Sequence, residues 1–288
     1  MRLLARFASL LLLSCLGGLY AQPPLTAPVD QIDRRDLIYY PGDTEHIGPL
    51  VHKLAANIWL DQRTIWTSPF HIHSKADAGK WIGLTALITG AVLTDRRTAH
   101  LLENSPSQVN WGDHVSNIGA AYTVLPVFAG FYAAGVFANN EKARETGILS
   151  GEAILDSLIV VEGLKLAAGR NRPNATSKPG DFFQGGASFP SGHSGETWAL
   201  ASVIAHEYAN RKWVPWVAYG LATTVAAARI TAQKHYTSDV IAGSAIGFFI
   251  GRFVVNTHEA HAKHHHGTFA PLLDPSTSTY GVSFSLGN

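Results

Sequence analysis

Three short clusters between Lys165 and Asp239 hold the residues best suited to chemistry. They are Lys165-x6-Arg172-Pro173, Pro190-Ser191-Gly192-His193 and Arg229-x5-His235-x3-Asp239. Together they supply cations, two histidines, a serine–glycine turn and a carboxylate, an inventory suited to holding a tetrahedral oxyanion. Arginine presents a planar fork that matches phosphate oxygens, and lysine supplies a compact point charge. Arg170 adds a further cation. Gly192 lets backbone approach a ligand closely, and the free N–H groups at a helix start bind anions. If residues 235–239 are helical, His235 and Asp239 stand one turn apart. The carboxylate then reaches the imidazole Nδ1–H, fixes its tautomer and stabilises the cationic ring. Each cluster alone has a plainer reading. Basic residues at a helix C-terminus answer the helix dipole, Ser191 or Ser194 caps a helix, and Asp239 caps the last one.

Apolar periodicity predicts the elements that must carry these groups. Helices are expected at about 80–94, 115–138, 145–168, from just after His193 to about 209, 214–231 and 239–256. No alternating stretch in this region competes as a sheet, so the fold class is all-α, a six-helix bundle. Lys165 and Arg172 are expected on one face near the end of the third helix, which Pro173 terminates. Each cluster then falls at a helix boundary, and a bundle brings such ends to one mouth. Residues 115–138 carry no charge and are long enough to span a bilayer. Glu152, Asp156, Glu162, Glu196, His206 and Glu207 point the other way. A charge at mid-bilayer costs about 2.5–3.5 kcal/mol on insertion scales. The balance favours a bundle that touches the membrane over one inserted in it, with integral insertion as the competing reading.

The flanks read differently. Arg2 and Arg6, an apolar run from Phe7 to Leu16 and Leu19-Tyr20-Ala21 predict a signal peptide over 1–21. Leu12-Leu13-Ser14-Cys15 loosely resembles a lipoprotein cleavage box. Residues 22–78 read as a proline-broken arm followed by an amphipathic helix with Leu50, Leu54 and Ile58 on one face. Trp59 and Trp66 would sit at headgroup level if that helix lay on a membrane. The bundle occupies 79–256. Residues 257–288 begin with the tail of a histidine-rich run, His258, His261 and His264 to His266, expected to be solvated. They end in an alternating segment that predicts a short C-terminal β-hairpin or strand.

Composition narrows the function. The chain has 288 residues, 46% hydrophobic and only 15% charged, which excludes a disordered chain and suggests a large apolar core or a membrane. A formal charge of +1 gives no electrostatic drive toward nucleic acid. The single cysteine, Cys15, lies in the expected leader, so the mature chain needs no disulfide.

The order, spacing and helix placement of the three clusters resemble the signature of the type 2 phosphatidic acid phosphatase superfamily, over roughly residues 80–256. That superfamily also holds the bacterial class A acid phosphatases and the vanadium haloperoxidases. The resemblance implies that His235 attacks phosphorus to form a phosphohistidine, that Asp239 orients it, and that His193 protonates the leaving group and then activates water. Lys165, Arg172, Ser191, Gly192 and Arg229 would hold the phosphate oxygens. No metal or other cofactor is expected, and the histidine-rich run is not the catalytic site. The family usually has serine before the third-cluster arginine, where this chain has Ala228. The expected function is a cell-envelope phosphatase, in the periplasm or membrane, acting on a phosphomonoester or pyrophosphate, lipid or soluble. The alternatives are a vanadate-dependent haloperoxidase and a non-catalytic phosphate- or lipid-binding protein.

Overall fold

Side-chain caps set where several helices begin. In the computed structural model, which describes residues 47–72, 74–102, 104–264, 267–274 and 279–286, the chain forms helices α1 (Ile47–Thr67), α2 (Lys75–Ala99), α3 (Pro106–Ser116), α4 (Ala121–Phe137), α5 (Glu141–Ala168), α6 (Gly192–Glu207), α7 (Trp213–Thr231) and α8 (Thr237–His264). The Ser74 side chain accepts from the Asp77 N–H to start α2, Ser105 accepts from Gln108 for α3, and Asn140 accepts from Ala143 for α5. Past α8, strand β1 (Gly267–Asp274) pairs antiparallel with β2 (Thr279–Leu286), from Gly267 opposite Leu286 to Asp274 opposite Thr279. The expected leader, with Cys15 and its lipoprotein-like box, and the arm to residue 44 lie outside the described residues, as do His265 and His266.

The all-α bundle is as expected, with α6 at its centre. Leu149, Ala153 and Val160 of α5, Ala199 and Val203 of α6, and Ile250, Val254 and Val255 of α8 form one apolar core. Val124 of α4, Ile154 and Leu200 form a second. The α6–α8 crossing is very close because α8 carries glycine every fourth residue. A Cβ on Gly243 would overlap the Ser191 carbonyl oxygen, and one on Gly247 the Gly195 carbonyl oxygen. A Cβ on Gly251 would lie 2.6 Å from the Ala199 carbonyl oxygen. Small residues at this spacing let two backbones meet.

The elements depart from expectation in four places. The single helix expected over 115–138 is broken by a 3-10 turn at Asn117–Gly119, with Ala120 extended. Gly119 is wedged against α7 and α6, where a Cβ would overlap Val225 and lie 2.9 Å from Thr197 Cγ2. The Thr123 hydroxyl donates to the Asn117 carbonyl across the break. Second, α5 ends at Gly169, not at Pro173. Gly169 adopts φ +53° and its N–H returns to the Lys165 carbonyl, a left-handed glycine stop. Arg170 and Arg172 therefore lie beyond the helix, and Lys165 and Arg172 do not share a helical face.

Third, α8 continues to His264, because no glycine or proline stops it before Gly267. His258, expected in a solvated tail, is buried, and its Nε2 lies 2.8 Å from Glu152 Oε1. Fourth, half of the residues that argue against insertion point inward. Glu152 and Asp156 are fully buried and Glu196 is nearly so. On α1, Asn57 donates to Glu152 and Gln62 to Asp156. Trp66 packs under Gly163, while Trp59 is exposed. Among the described residues, two segments are long and apolar enough to cross a membrane, Pro106–Phe137 and Thr237–His258.

Candidate active site

The site forms where the end of α5, the start of α6, the end of α7 and the start of α8 meet. The Ser191 N–H donates to the Asp239 carbonyl at 2.9 Å, which ties the α6 start to the first turn of α8. Ser191 occupies the N-cap position of α6, but its side chain makes no capping bond. Its Oγ accepts from Ser194 Oγ instead. The free N–H groups of the first turn thus keep their capacity for an anion. His193 lies in that turn.

Gly192 sets how close the α5 lysine comes. A Cβ there would lie 3.0 Å from Lys165 Nζ and 3.6 Å from Glu196 Oε1. Lys165 also pairs with Glu162 at 2.7 Å. Burial raises the Glu196 carboxyl to about 7, against the pull of the Lys165 and Arg229 charges. Arg229, in the last turn of α7, is buried, and its Nη1 donates to Ser116 Oγ at 3.1 Å. Its buried Nε–H has no protein partner. A buried guanidinium N–H without an acceptor costs stability, and an oxyanion would satisfy it. Burial and the Arg172 charge lower Arg229 to about 10. The departure at Ala228 falls on a buried residue. The hydroxyl beside Arg229 comes from Ser116 of α3, a residue with no local signal to select it.

Both histidines are held neutral. Burial, then the charges of Arg229, His235, Lys165 and Arg172, lowers His193 to about 3. Burial lowers His235 to about 4, with Asp239 opposing and Arg229 and Arg172 adding. The charges of Lys165, Arg172 and Arg229 thus act on His193, and those of Arg229 and Arg172 on His235.

His235 and Asp239 meet differently from the helical expectation. His235 precedes α8, so the two are not paired along a helix. Its Nδ1 lies 2.7 Å from the Ser188 carbonyl oxygen and 3.8 Å from Asp239 Oδ2. Nδ1–H therefore donates to Ser188, which leaves Nε2 as the unprotonated nitrogen. Asp239 accepts the Ser188 hydroxyl at 2.6 Å and the Tyr236 N–H at 2.8 Å through Oδ2, and Arg170 at 2.6 Å through Oδ1. The helix begins at Thr237, so Asp239 is not its N-cap as the plainer reading had it; it lies in the first turn and its carboxylate reaches back to the N–H of Tyr236, the cap residue.

Sequence reasoning passed over Ser188, although it stands two residues before Pro190. It also missed Asp95, whose only local signal is a carboxylate closing an apolar helix. A cavity of about 340 Å³ opens beside His235, lined among others by Asp95, Arg96, His100, Pro173, Gln233 and Tyr236.

Residues 147–263, which contain all three clusters, match the family model described as the PAP2 superfamily. A lipid A 1-phosphatase of Porphyromonas gingivalis is 32% identical over 93 residues, 32% of this chain. The match spans only 19% of that relative's length. Among solved structures, a transmembrane PAP2-type phosphatidylglycerolphosphate phosphatase from Bacillus subtilis aligns with a TM-score of 0.45 and 21% identity, over 73% of this chain and 96% of that one. LpxE of Aquifex aeolicus aligns with a TM-score of 0.44 and 23% identity, over 56% and 94%. The resemblance read from the three clusters is borne out: residues 147–263 match the model of the PAP2 superfamily, the type 2 phosphatidic acid phosphatases.

Proposed function

We propose that the chain is a phosphatase acting on a phosphorylated lipid through a phosphohistidine, in contact with a cell-envelope membrane. The observation that carries this reading is the pairing of two neutral histidines with a buried, unpartnered Arg229 Nε–H and the cations Lys165 and Arg172. His235 Nε2 attacks phosphorus as the bond to the leaving oxygen breaks. Ser188 holds Nδ1–H as the ring becomes cationic, and Asp239 lies beside it. His193 gives a proton to the leaving alkoxide or phosphate. The same ring, now neutral, takes a proton from water. The water oxygen attacks phosphorus, the phosphorus–nitrogen bond breaks and orthophosphate leaves. His193 is neutral in the empty site because burial, and then the charges of the clamps, disfavour its proton. A bound phosphate anion screens Lys165, Arg172 and Arg229 and raises its proton affinity, which loads the general acid only when substrate is present.

Lys165, Arg172, Arg229 and the α6 N-terminus supply the countercharge, so the reading calls for no metal. A lipid substrate is supported by the relative named for lipid A and by the apolar side chains left exposed. Those include Trp81, Ile82, Leu87 and Leu93 on α2, and Trp213, Trp216, Val217 and Leu221 on α7.

Detergent-purified protein is expected to release phosphate from a phospholipid monoester in mixed micelles, with no loss in excess EDTA. His235→Ala is expected to lose at least about a thousandfold in kcat. Full activity in that variant would overturn the mechanism. Strict dependence on an added metal would overturn the metal-independent reading.

A further inference from the structure

Behind the reactive histidine lies a buried ion chain that the three clusters do not include. Arg170 is 2% exposed and donates four hydrogen bonds. Its Nε donates to the Gly180 carbonyl at 3.1 Å, and Nη1 to Ser238 Oγ at 2.7 Å and Asp239 Oδ1 at 2.6 Å. Nη2 donates to Asp95 Oδ2 at 2.8 Å. The guanidinium carbon lies 4.7 Å from the Phe182 ring centroid and 4.4 Å from that of Tyr236. Asp95, fully buried near the end of α2, accepts the Ser238 N–H through Oδ1 at 3.0 Å and the Ser238 hydroxyl through Oδ2. It thus holds the first turn of α8 from outside.

The backbone of Arg170 serves the same end. Its carbonyl accepts the Ser188 N–H at 2.9 Å, and the Ser188 carbonyl accepts His235 Nδ1–H. A Cβ on Gly186 would overlap the Arg170 carbonyl, so this contact admits only glycine there. One residue therefore holds Asp239 by its side chain and His235 through Ser188 by its main chain.

We propose that Arg170 and Asp95 are positioning residues for phosphoryl transfer, fixing Asp239 and Ser188 so that His235 Nε2 faces the phosphate. The inference rests on the phosphatase reading above. The charge pattern explains why both members are needed. Without Asp95, the guanidinium lacks its second anchor and swings toward Asp239. Without Arg170, two buried carboxylates face each other unpaired, which is costly. Lysine keeps the charge but cannot reach Gly180, Ser238, Asp239 and Asp95 from one plane while filling the gap between two rings. Asp95 lies outside the segment that matches the family, so in this chain α2 contributes to the site from beyond it.

The test compares Asp95→Asn and Arg170→Lys with the unmodified enzyme in detergent. Orthovanadate, a phosphate mimic, serves as an active-site titrant. The phosphate clamps are untouched, so vanadate affinity and KM are expected to stay within about threefold, while kcat per titrated site falls about tenfold or more. A role in stability alone would lower the number of titrated sites and leave kcat per site unchanged, and that result would overturn the proposal. If neither variant folds, Ser238→Ala removes only the hydroxyl shared by Arg170 and Asp95, and kcat per site is expected to fall about threefold. An unchanged value there would also overturn it. Unmodified enzyme that binds vanadate but releases no phosphate from any ester would instead sink the phosphatase reading.

Discussion

Two neutral histidines among cations make the site sensitive to pH at the level of single residues. The folded values of His193 and His235, about 3 and about 4, lie below the ordinary 6.5. Between 6.5 and about 4 these two sites bind more protons in the unfolded chain than in the folded one, so their contribution to stability is full above 6.5 and declines as pH falls through that window, offset in part by the raised Glu196 carboxyl. Melting temperature is therefore expected to drop from pH 7 to pH 5. Saturating vanadate should reduce the drop by countering the cations that repel the proton, and a thermal shift series checks both. Gly192 gives a second prediction at this scale. In Gly192→Ala the new Cβ would sit 3.0 Å from Lys165 Nζ and push the ammonium aside. Vanadate affinity should weaken about tenfold, worth about 1.4 kcal/mol. Calorimetric titration reads this directly.

Among the elements, α6 and α8 matter most, because their crossing fixes the distance between the two histidine-bearing turns. The α8 stripe of Gly243, Gly247 and Gly251 lets the crossing close. Gly247→Ala is expected to force the helices apart and destabilise the protein by about 1–3 kcal/mol, as overpacking does. Chemical denaturation measures the loss, and activity should fall with it because Ser191 and Asp239 part. The element scale also shows what sequence could not place. Periodicity located α5, α6, α7 and α8 to within a few residues, apart from the far end of α8, since each has an apolar pattern bounded by turn residues. It read through Asn117–Gly119, where nothing local breaks the pattern and the break is imposed by Val225 and Thr197 of other helices. It ended α5 at 168, as observed; only the reading of the first cluster ran that helix on to Pro173, past the stop at Gly169.

For the whole molecule, the open matter is the surface α2, α4 and α7 present. Leu125, Val127, Val136 and Phe137 add to the exposed apolar side chains of α2 and α7. Glu152, Asp156 and His258 meanwhile hide their polar groups between α1, α5 and α8. Polar groups turned inward and apolar ones outward suit a lipid environment. Membranes washed in high salt should therefore keep the protein, and a mild detergent should release it. Recovery in the salt wash would show a peripheral contact instead.

The sequence by itself determined the family resemblance, the candidate site residues and most helix positions, because those depend on residue identity and on spacing along the chain. His193, His235, Asp239 and the candidate clamps could all be proposed from it, for chemistry alone restricts which side chains can hold and attack a phosphate. Only the tertiary structure decided who partners whom. It gave His235 Nδ1 to the Ser188 carbonyl and Asp239 to Arg170, Ser188 and Tyr236. It also brought Asp95 and Ser116 into the site from helices far away in sequence. Hydrogen bonds and ion pairs act over a few ångströms of space, and such neighbours are set by how helices pack, which no spacing along the chain records.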